Sequence, residues 1–206
     1  VERILAADAH GLTLRCVLTG SDGLVVVRTL DQATMDRPLA QLFQELTAVT
    51  KLDHPALARS GGYGFLDEDK SRGYVVTEFN DGQSLDEFVD RHSTLRSKDL
   101  IAVAAALAEA LMELHDQGLF HTGLRPANIL IKKSDTYWRV VQGDFGVRLP
   151  AARLALQSRN PALLGRTRHG RTVAQHLDYL PPAAQPGADA EASNPAAGDV
   201  YSLAKC

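Results

Sequence analysis

Two short stretches of the sequence decide the fold. The first runs from His121 to Ile131 and reads HTGLRPANILI, and the second, Asp144-Phe145-Gly146, follows shortly after it. Each could arise by chance if it were taken alone. Their order, together with the segments that flank them on both sides, carries the assignment.

Further landmarks flank these two stretches in a fixed order along the chain. They are Arg28 in a β-branched segment, Glu45 in a segment of helical periodicity, His54-Pro55, the extended segment Tyr74–Phe79, Asp81–Leu85, Tyr179–Ala183 and Asp199–Leu203. The specificity lies in the order and spacing of the set, because no single member is diagnostic.

The first third of the chain predicts β-strands. Apolar and polar residues alternate over Leu12–Leu18, which is the period of a half-buried strand. Residues 20–23 offer turn chemistry for a hairpin, and the β-branched segment Leu24–Leu30 returns as the next strand. Gly62–Leu66 and Gly73–Phe79 predict two more strands on either side of a charged turn.

A helix interrupts these strands. From Pro38 onward the apolar residues follow one helical stripe, and proline suits the first turn of a helix. The stripe contains Leu39, Leu42, Phe43, Leu46 and Val49. We expect His54-Pro55 to stop this helix, because proline disfavours helical geometry at the residue before it. Strands, one helix and more strands predict a small α+β lobe.

Beyond Phe79 the chain is predicted to be mainly helical. A short helix contains Leu85 and Phe88, a long apolar helix ends near Gly118, and two short strands lie around Ser134 and Asp135. The long helix is expected to bury a wide stripe, made of Leu100, Ala104, Leu107, Leu111 and Leu114 with Ile101, Ala108 and Met112 beside it. Residues 181–198 are rich in Ala, Pro and Gly and favour a loop or partial disorder.

The ordered landmarks resemble the Hanks-type Ser/Thr protein kinase superfamily, especially its bacterial members, over nearly the whole chain. The resemblance implies a bilobal α+β fold with a β-rich N-lobe at residues 1–79 and a mainly helical C-lobe at residues 80–206. We expect a partial C-lobe, because Asp199–Leu203 resembles the start of its central helix. Ala183 stands where the family has a glutamate that anchors to the helices that follow. Either the sequence is truncated or another chain or segment is expected to complete the lobe.

The resemblance also implies catalytic positions, and several of them are degenerate here. Arg28 replaces the strand lysine that pairs with Glu45. It keeps the positive charge, so the resemblance favours a buried, organising ion pair with Glu45, and an exposed pair of little energetic value is the alternative. Its planar fork would contact α- and β-phosphates differently from a lysine, and another basic side chain such as Arg15 could substitute for it. Gly123 replaces the carboxylate that accepts the proton of the substrate hydroxyl. Arg125 replaces the lysine that steadies the γ-phosphate.

The glycine-rich phosphate loop of the family is also missing. Gly11 is the lone glycine between Val1 and Leu18, and Asp8 adds a negative charge that would repel phosphates. Thr122 replaces the arginine that usually receives an activation-loop phosphate. The basic run at residues 166–171 could bind phosphate or an acidic partner, although a solvated activation-loop segment is the favoured interpretation.

Other site positions are retained. Asn128 and Asp144 match the positions that hold Mg²⁺ in active kinases, so ATP and Mg²⁺ are possible cofactors; a turn-capping role for Asp144 is the alternative. Thr77 matches the gatekeeper, and the backbones of Glu78 and Asn80 match the adenine edge. The full nucleotide-binding set is Val26, Arg28, Glu45, Thr77, Glu78, Asn80 and Leu130. In it Val26 would intrude on the adenine slot and Leu130 would form its floor. His121 and Phe145 match positions that pack in the core linking the two lobes, for which a structural role is favoured over a chemical one.

Composition excludes some functions. A hydrophobic content of 45% and a charged content of 23% are typical of globular proteins, and a net charge of −3 gives no reason to expect nucleic acid or an anionic membrane as partner. The apolar stretch at residues 101–107 is too short to span a bilayer. Cys16 and Cys206 could pair, but two isolated thiols favour a reducing compartment and hence the cytoplasm.

The favoured hypothesis is therefore a pseudokinase that scaffolds or allosterically controls a partner protein through its kinase-like surface. Two alternatives remain open. One is a weakly active or atypical ATP-dependent Ser/Thr kinase, and the other is a nucleotide-sensing switch without turnover. The sequence does not identify the partner or predict the oligomeric state.

Overall fold

The computed structural model describes residues 1–7, 11–20, 23–92, 94–147, 178–185 and 194–206. They group into two compact units. The first contains Val1–Lys51 and Arg59–Phe79, and the second contains Leu52–Ala58, Asn80–Val147 and Asp178–Cys206. Within these ranges, no helix has the length and apolar character needed to cross a membrane.

The described part of the first unit forms a five-stranded antiparallel sheet in the order β1-β2-β3-β5-β4. Its strands are β1 Arg3–Ala7, β2 Leu12–Val17, β3 Leu24–Asp31, β4 Ser60–Phe65 and β5 Arg72–Glu78. The four strands predicted from alternation and β-branched residues are confirmed to within two residues. Strand β1 was not predicted; it lies at the sheet edge with most of its residues exposed, so burial imposes little alternation on its sequence.

Helix α1 (Leu39–Val49) buries the whole predicted stripe of five apolar residues. Phe43 is at the centre of this packing: its ring centroid lies 4.9 Å from that of Tyr63 and 5.0 Å from that of Phe65, both on β4. The expected stop at His54-Pro55 is wrong, because the helix ends at Val49. Thr50 caps it, and the Thr50 amide donates to the Leu46 carbonyl. The helix has therefore ended before Pro55 can influence it.

The described part of the second unit contains a three-stranded sheet and three α-helices. Its elements are β6 Gln83–Ser84, α2 Leu85–His92, α3 Ser97–Asp116, β7 Ile129–Lys133, β8 Trp138–Gln142 and α4 Pro195–Lys205. Short 3₁₀ turns lie at Gln32–Thr34 in the first unit, and at Pro126–Asn128 and Pro182–Ala184 in the second. The short helix, the long helix ending near Gly118 and the strand pair are confirmed.

Helix α3 buries a narrower face than the sequence suggested. It packs on β8, where the Gln142 side-chain amide donates to the Leu107 carbonyl at 2.9 Å. Its buried residues are Val103, Leu107, Ala110, Leu111 and Leu114. By contrast, Leu100, Ile101 and Met112 are 51%, 69% and 64% exposed, so the expectation of a wide buried stripe is wrong. Periodicity alone does not reveal which rows of side chains the neighbouring elements, β8 and the helix at Pro195–Lys205, cover.

The loop expected at residues 181–198 is also partly wrong, because α4 begins inside it. Asn194 caps that helix, and its side-chain oxygen accepts from the amides of Ala196 and Ala197 at 3.1 and 3.3 Å. Pro195 occupies the first helical position, where its missing amide hydrogen costs nothing. Alanine and proline, interpreted as loop formers, are here helix-starting residues.

Candidate active site

A buried carboxylate anchors the segment that begins at His121. The Asp199 side chain is 1% exposed, and its Oδ2 accepts from the His121 amide at 2.8 Å and from Nε2 of His115 at 3.0 Å. Its Oδ1 accepts from the Thr122 amide at 2.7 Å. A charge buried this deeply needs such donors, and they fix the backbone of the segment. The sequence analysis treated Asp199 only as a landmark, although an aspartate on the buried face of a helix was a signal that it has a partner.

The Asp144-Phe145-Gly146 turn packs directly on this anchored segment. The Gly146 amide donates to the His121 carbonyl at 2.9 Å, and the rings of His121 and Phe145 meet edge to face with centroids 6.0 Å apart. The two side chains therefore pack against each other within the second unit. Burial lowers the pKa of His121 below its ordinary value, and the Asp199 and Asp144 carboxylates offset part of that shift. His121 is therefore neutral at pH 7.

Asp144 lies in the left-handed backbone region, with φ of +56°, and its carbonyl accepts from the Val147 amide at 3.1 Å. The chain thus turns sharply after Asp144 and returns toward Gly123. A Cβ atom added to Gly123 would lie 2.8 Å from the Val147 carbonyl oxygen, closer than real side chains tolerate. The position that matches the catalytic carboxylate therefore has no room for a side chain in this conformation.

Asn128 also contacts Gly123. Its side chain is held at both ends: Nδ2 donates to the Gly123 carbonyl at 2.9 Å, and Oδ1 accepts from Nε of Arg125 at 3.1 Å. Asn128 is 6% exposed. The structure thus brings together the positions Gly123, Arg125 and Asn128 that the sequence singled out, and it joins Arg125 to Asn128 by a hydrogen bond that sequence analysis did not predict.

In the first unit, Val26 and Arg28 project from the same face of β3. Val26 is paired with Thr77 of β5, and Arg28 with Val75, so Thr77 shares this face. Arg28 is 8% exposed, and its Nη1 donates to Thr13 Oγ1 at 2.9 Å. Three of the predicted nucleotide-site residues thus come together on one sheet face.

Glu45 does not pair with Arg28. Its carboxylate instead accepts from Arg37 Nη1 at 2.5 Å, and these two side chains are 27% and 14% exposed. Among the described residues, no ion pair links Arg28 to Glu45, so the expectation of an organising Arg28–Glu45 pair is wrong. Arg37 lies just before α1, eight residues before Glu45 in the sequence. The family pattern assigns Glu45 a partner on a strand and therefore does not suggest this pair.

The proposed substitute, Arg15, is also engaged elsewhere. Its guanidinium makes two hydrogen bonds to Glu2, at 2.9 and 3.0 Å, and lies 4.9 Å from the centroid of the Phe79 ring. These contacts occupy both the edge and the face of the guanidinium. Gly11, the lone glycine of the missing loop, has φ of +150° and abuts Thr29, where a Cβ would lie 2.4 Å from the carbonyl oxygen.

The remaining predicted positions are placed as follows. The Glu78 amide donates to the Arg59 carbonyl at 3.0 Å in the first unit. Asn80 and Leu130 line one small groove of the second unit. Asp8 and the basic run at residues 166–171 lie outside the described residues.

Comparison with known proteins identifies the protein family to which the chain belongs. The family model for the protein kinase domain matches residues 3–203, so the chain belongs to the protein kinase domain family. This confirms the resemblance drawn from the ordered landmarks and the bilobal kinase-like fold class.

Individual relatives agree with this assignment. The chain is 26% identical over 184 residues to the probable serine/threonine-protein kinase PknB of Lactococcus lactis, covering 88% of this chain and 26% of that protein. It is 33% identical over 147 residues to the serine/threonine-protein kinase RAD53 of Saccharomyces cerevisiae, covering 71% of this chain and 17% of the relative. The chain therefore spans about a quarter or less of the length of these relatives.

Solved structures give the same fold. The kinase domain of Mycobacterium tuberculosis PknI superposes with a TM-score of 0.70 at 22% identity, over 98% of this chain and 69% of that one. A structure of Rad53 in complex with AMP-PNP matches with a TM-score of 0.60 at 26% identity, over 71% of this chain and 37% of the other.

Proposed function

We propose that this chain is a catalytically impaired protein-kinase domain that regulates or scaffolds a partner protein through its kinase-shaped surface. The proposal rests on the residue at position 123 and on the backbone that lies against it. In a kinase this position supplies the carboxylate that orients the attacking hydroxyl and accepts its proton. Here glycine has no such group, and the Val147 carbonyl oxygen lies 2.8 Å from where a Cβ atom would be.

The Glu45 contact supports the same proposal from the first unit. Active kinases need the strand cation and the helix glutamate as a pair to hold the α- and β-phosphates. In this chain Glu45 is bound by Arg37, and Arg28 donates to Thr13. Phosphoryl transfer depends mostly on positioned charges, so displacing one charge and deleting the acceptor each lower the rate by orders of magnitude.

A nucleotide-sensing role without turnover is the second candidate, and the retention of Asn128 and Asp144 favours it. Protein kinases use ATP and Mg²⁺, and Rad53 has been solved with the ATP analogue AMP-PNP. In a nucleotide-sensing protein, the signal would be a conformational response to nucleotide and not a phosphorylated product. The two free thiols, Cys16 and Cys206, support a cytoplasmic setting for either role.

Phosphate transfer tests the proposal. The purified protein is incubated with γ-labelled ATP and Mg²⁺ or Mn²⁺ and a panel of Ser/Thr acceptors, next to the variant Asp144→Ala. We expect incorporation equal to that of Asp144→Ala. Labelling of any acceptor that Asp144→Ala loses would refute the impaired-kinase proposal. Thermal denaturation with ATP and Mg²⁺ then separates the two roles: a stabilisation abolished by Asp144→Ala supports sensing, and no shift supports scaffolding alone.

A further inference from the structure

We propose that the solvent-facing side of helix α3 pairs antiparallel with the same helix of a second copy of this chain. The contact surface is the α3 seam, which consists of Ile101, Ala105, Ala108 and Met112. The inference goes beyond the proposed function. It concerns a helix face of the second unit, and it holds whether or not the chain transfers phosphate or binds nucleotide.

The α3 seam has the spacing of a helix that packs against another helix. Its residues recur at intervals of four, three and four, as the a and d positions of a coiled coil do. Ile101 and Met112 are large apolar side chains that lie mostly in solvent, Ala105 is exposed and Ala108 is half-buried. The buried row of α3, which packs on β8 and α4, lies on the other side of the helix. The seam is therefore an apolar row that the described fold leaves in solvent.

Two exposed charges flank the α3 seam at its ends. Lys98 is in the first turn of α3, and Asp116 is the last residue of the helix. Neither forms an ion pair with another residue that the structure describes. Each has the sign that the helix dipole disfavours at its end, because a helix N-terminus favours negative charge and a C-terminus favours positive charge. A neighbour of opposite charge would stabilise both.

An antiparallel second copy supplies these neighbours. Lys98 and Asp116 are five turns of about 3.6 residues apart, so both lie on the same flank of the helix. A two-fold axis perpendicular to two antiparallel helices sets the same flanks against each other, with the beginning of one helix beside the end of the other. Lys98 then faces Asp116 of the second copy, and the reverse contact forms at the other end.

The same two-fold axis also pairs the apolar residues. The midpoint of the α3 seam and the midpoint of the two charges nearly coincide, close to position 107. Ile101 therefore packs against Met112 of the second copy, while Ala105 and Ala108 lie beside the axis. These small side chains let the helix axes approach to about 8 Å, the lower end of the range for packed helices.

The charge order identifies a second copy as the occupant of this face. Parallel pairing would set Lys98 beside Lys98 and Asp116 beside Asp116, and like charges in contact disfavour a complex. In the antiparallel pair, one surface is complementary to itself in both its apolar row and its charges, as an isologous two-fold interface requires.

Sedimentation equilibrium at low ionic strength tests the pairing, because salt screens exposed charges. One helix row buries less than the roughly 1,600 Å² of a standard interface, so we expect a wild-type dissociation constant of about 10–100 µM. Lys98→Glu and Asp116→Lys should each weaken association about tenfold or more, since either change sets like charges together at both ends. Asp135→Lys is the matched control, because Asp135 is exposed in the turn between β7 and β8, and it should change association less than about threefold.

Two further samples restore the opposite charges. The double variant Lys98→Glu/Asp116→Lys should associate within about threefold of the wild type, and an equimolar mixture of the single variants should associate more tightly than either alone. Circular dichroism checks that the exposed substitutions leave the fold intact. A wild type that stays monomeric at about 500 µM, well above the expected dissociation constant, would overturn the inference. Single variants that associate like the wild type, or a double variant as weak as the single variants, would overturn it as well.

Discussion

Restoring the missing carboxylate should destabilise the protein rather than activate it. In Gly123→Ala, the new Cβ would lie 2.8 Å from the Val147 carbonyl oxygen, well inside the 3.4 Å at which ordinary contact begins. The obstacle is backbone, which cannot rotate away as a flexible side chain does. Overpacking of this kind costs about 1–3 kcal/mol of unfolding free energy. For a chain of this length that corresponds to a fall in Tm of roughly 3–10 °C.

Gly123→Asp should cost at least as much, because its carboxylate would also face a carbonyl oxygen that cannot donate to it. Gly143→Ala is the matched control: it lies in the same unit, and its added Cβ would meet the Asn128 carbonyl at an ordinary 3.7 Å. Chemical denaturation gives the free energies, and labelled ATP gives activity. A Gly123→Asp protein that is as stable as the wild type and phosphorylates an acceptor would refute the reasoning.

Further predictions concern the other contacts of the site. Asp199→Ala should lower the unfolding free energy by about 3–5 kcal/mol in denaturant titrations, because buried amides of His121 and Thr122 lose their acceptor. A double-mutant cycle should give Arg37 and Glu45 a coupling of about 0.5–1 kcal/mol, and Arg28 and Glu45 none. Stability should fall as pH drops below about 6.5, at up to about 1.4 kcal/mol per pH unit, because His121 is held neutral in the folded state while the unfolded chain binds the proton.

A specific experimental result would contradict each of these predictions. A small loss in Asp199→Ala, comparable to a surface substitution, would mean that the carboxylate does not anchor the segment. A larger coupling of Glu45 to Arg28 than to Arg37 would restore the expected kinase pair. For the pH dependence, His121→Phe should flatten the slope between pH 6.5 and 5, about the range in which the unfolded imidazole becomes charged, and an unchanged slope would assign it to another group.

The sequence predicted elements whose pattern reflects burial. Helix α1 was predictable because its five apolar residues all face the core, whereas edge strand β1 carries little such pattern. Leu100 and Met112 on α3 have the same spacing as core residues yet are exposed, since periodicity records a helix and not its neighbours.

The site was predictable in its membership but not in its contacts. Alignment to the family identified Gly123, Arg125 and Asn128, and it gave His121 and Phe145 a packing role without predicting that their rings contact each other. It did not predict the approach of Val147 to Gly123, because that depends on the path of the backbone after Asp144. The ion pair between Arg37 and Glu45 was missed for a related reason. The family pattern assigns Glu45 a partner on a strand, whereas its partner in the structure precedes α1.

The central claim is tested most directly by a single-turnover measurement with protein in excess over γ-labelled ATP. Under these conditions even slow transfer or hydrolysis of the γ-phosphate becomes visible, and Asp144→Ala measured alongside sets the background. The account predicts identical loss of γ-phosphate for the wild type and Asp144→Ala. Faster loss in the wild type, abolished by Asp144→Ala, would contradict it and make this chain an active kinase domain.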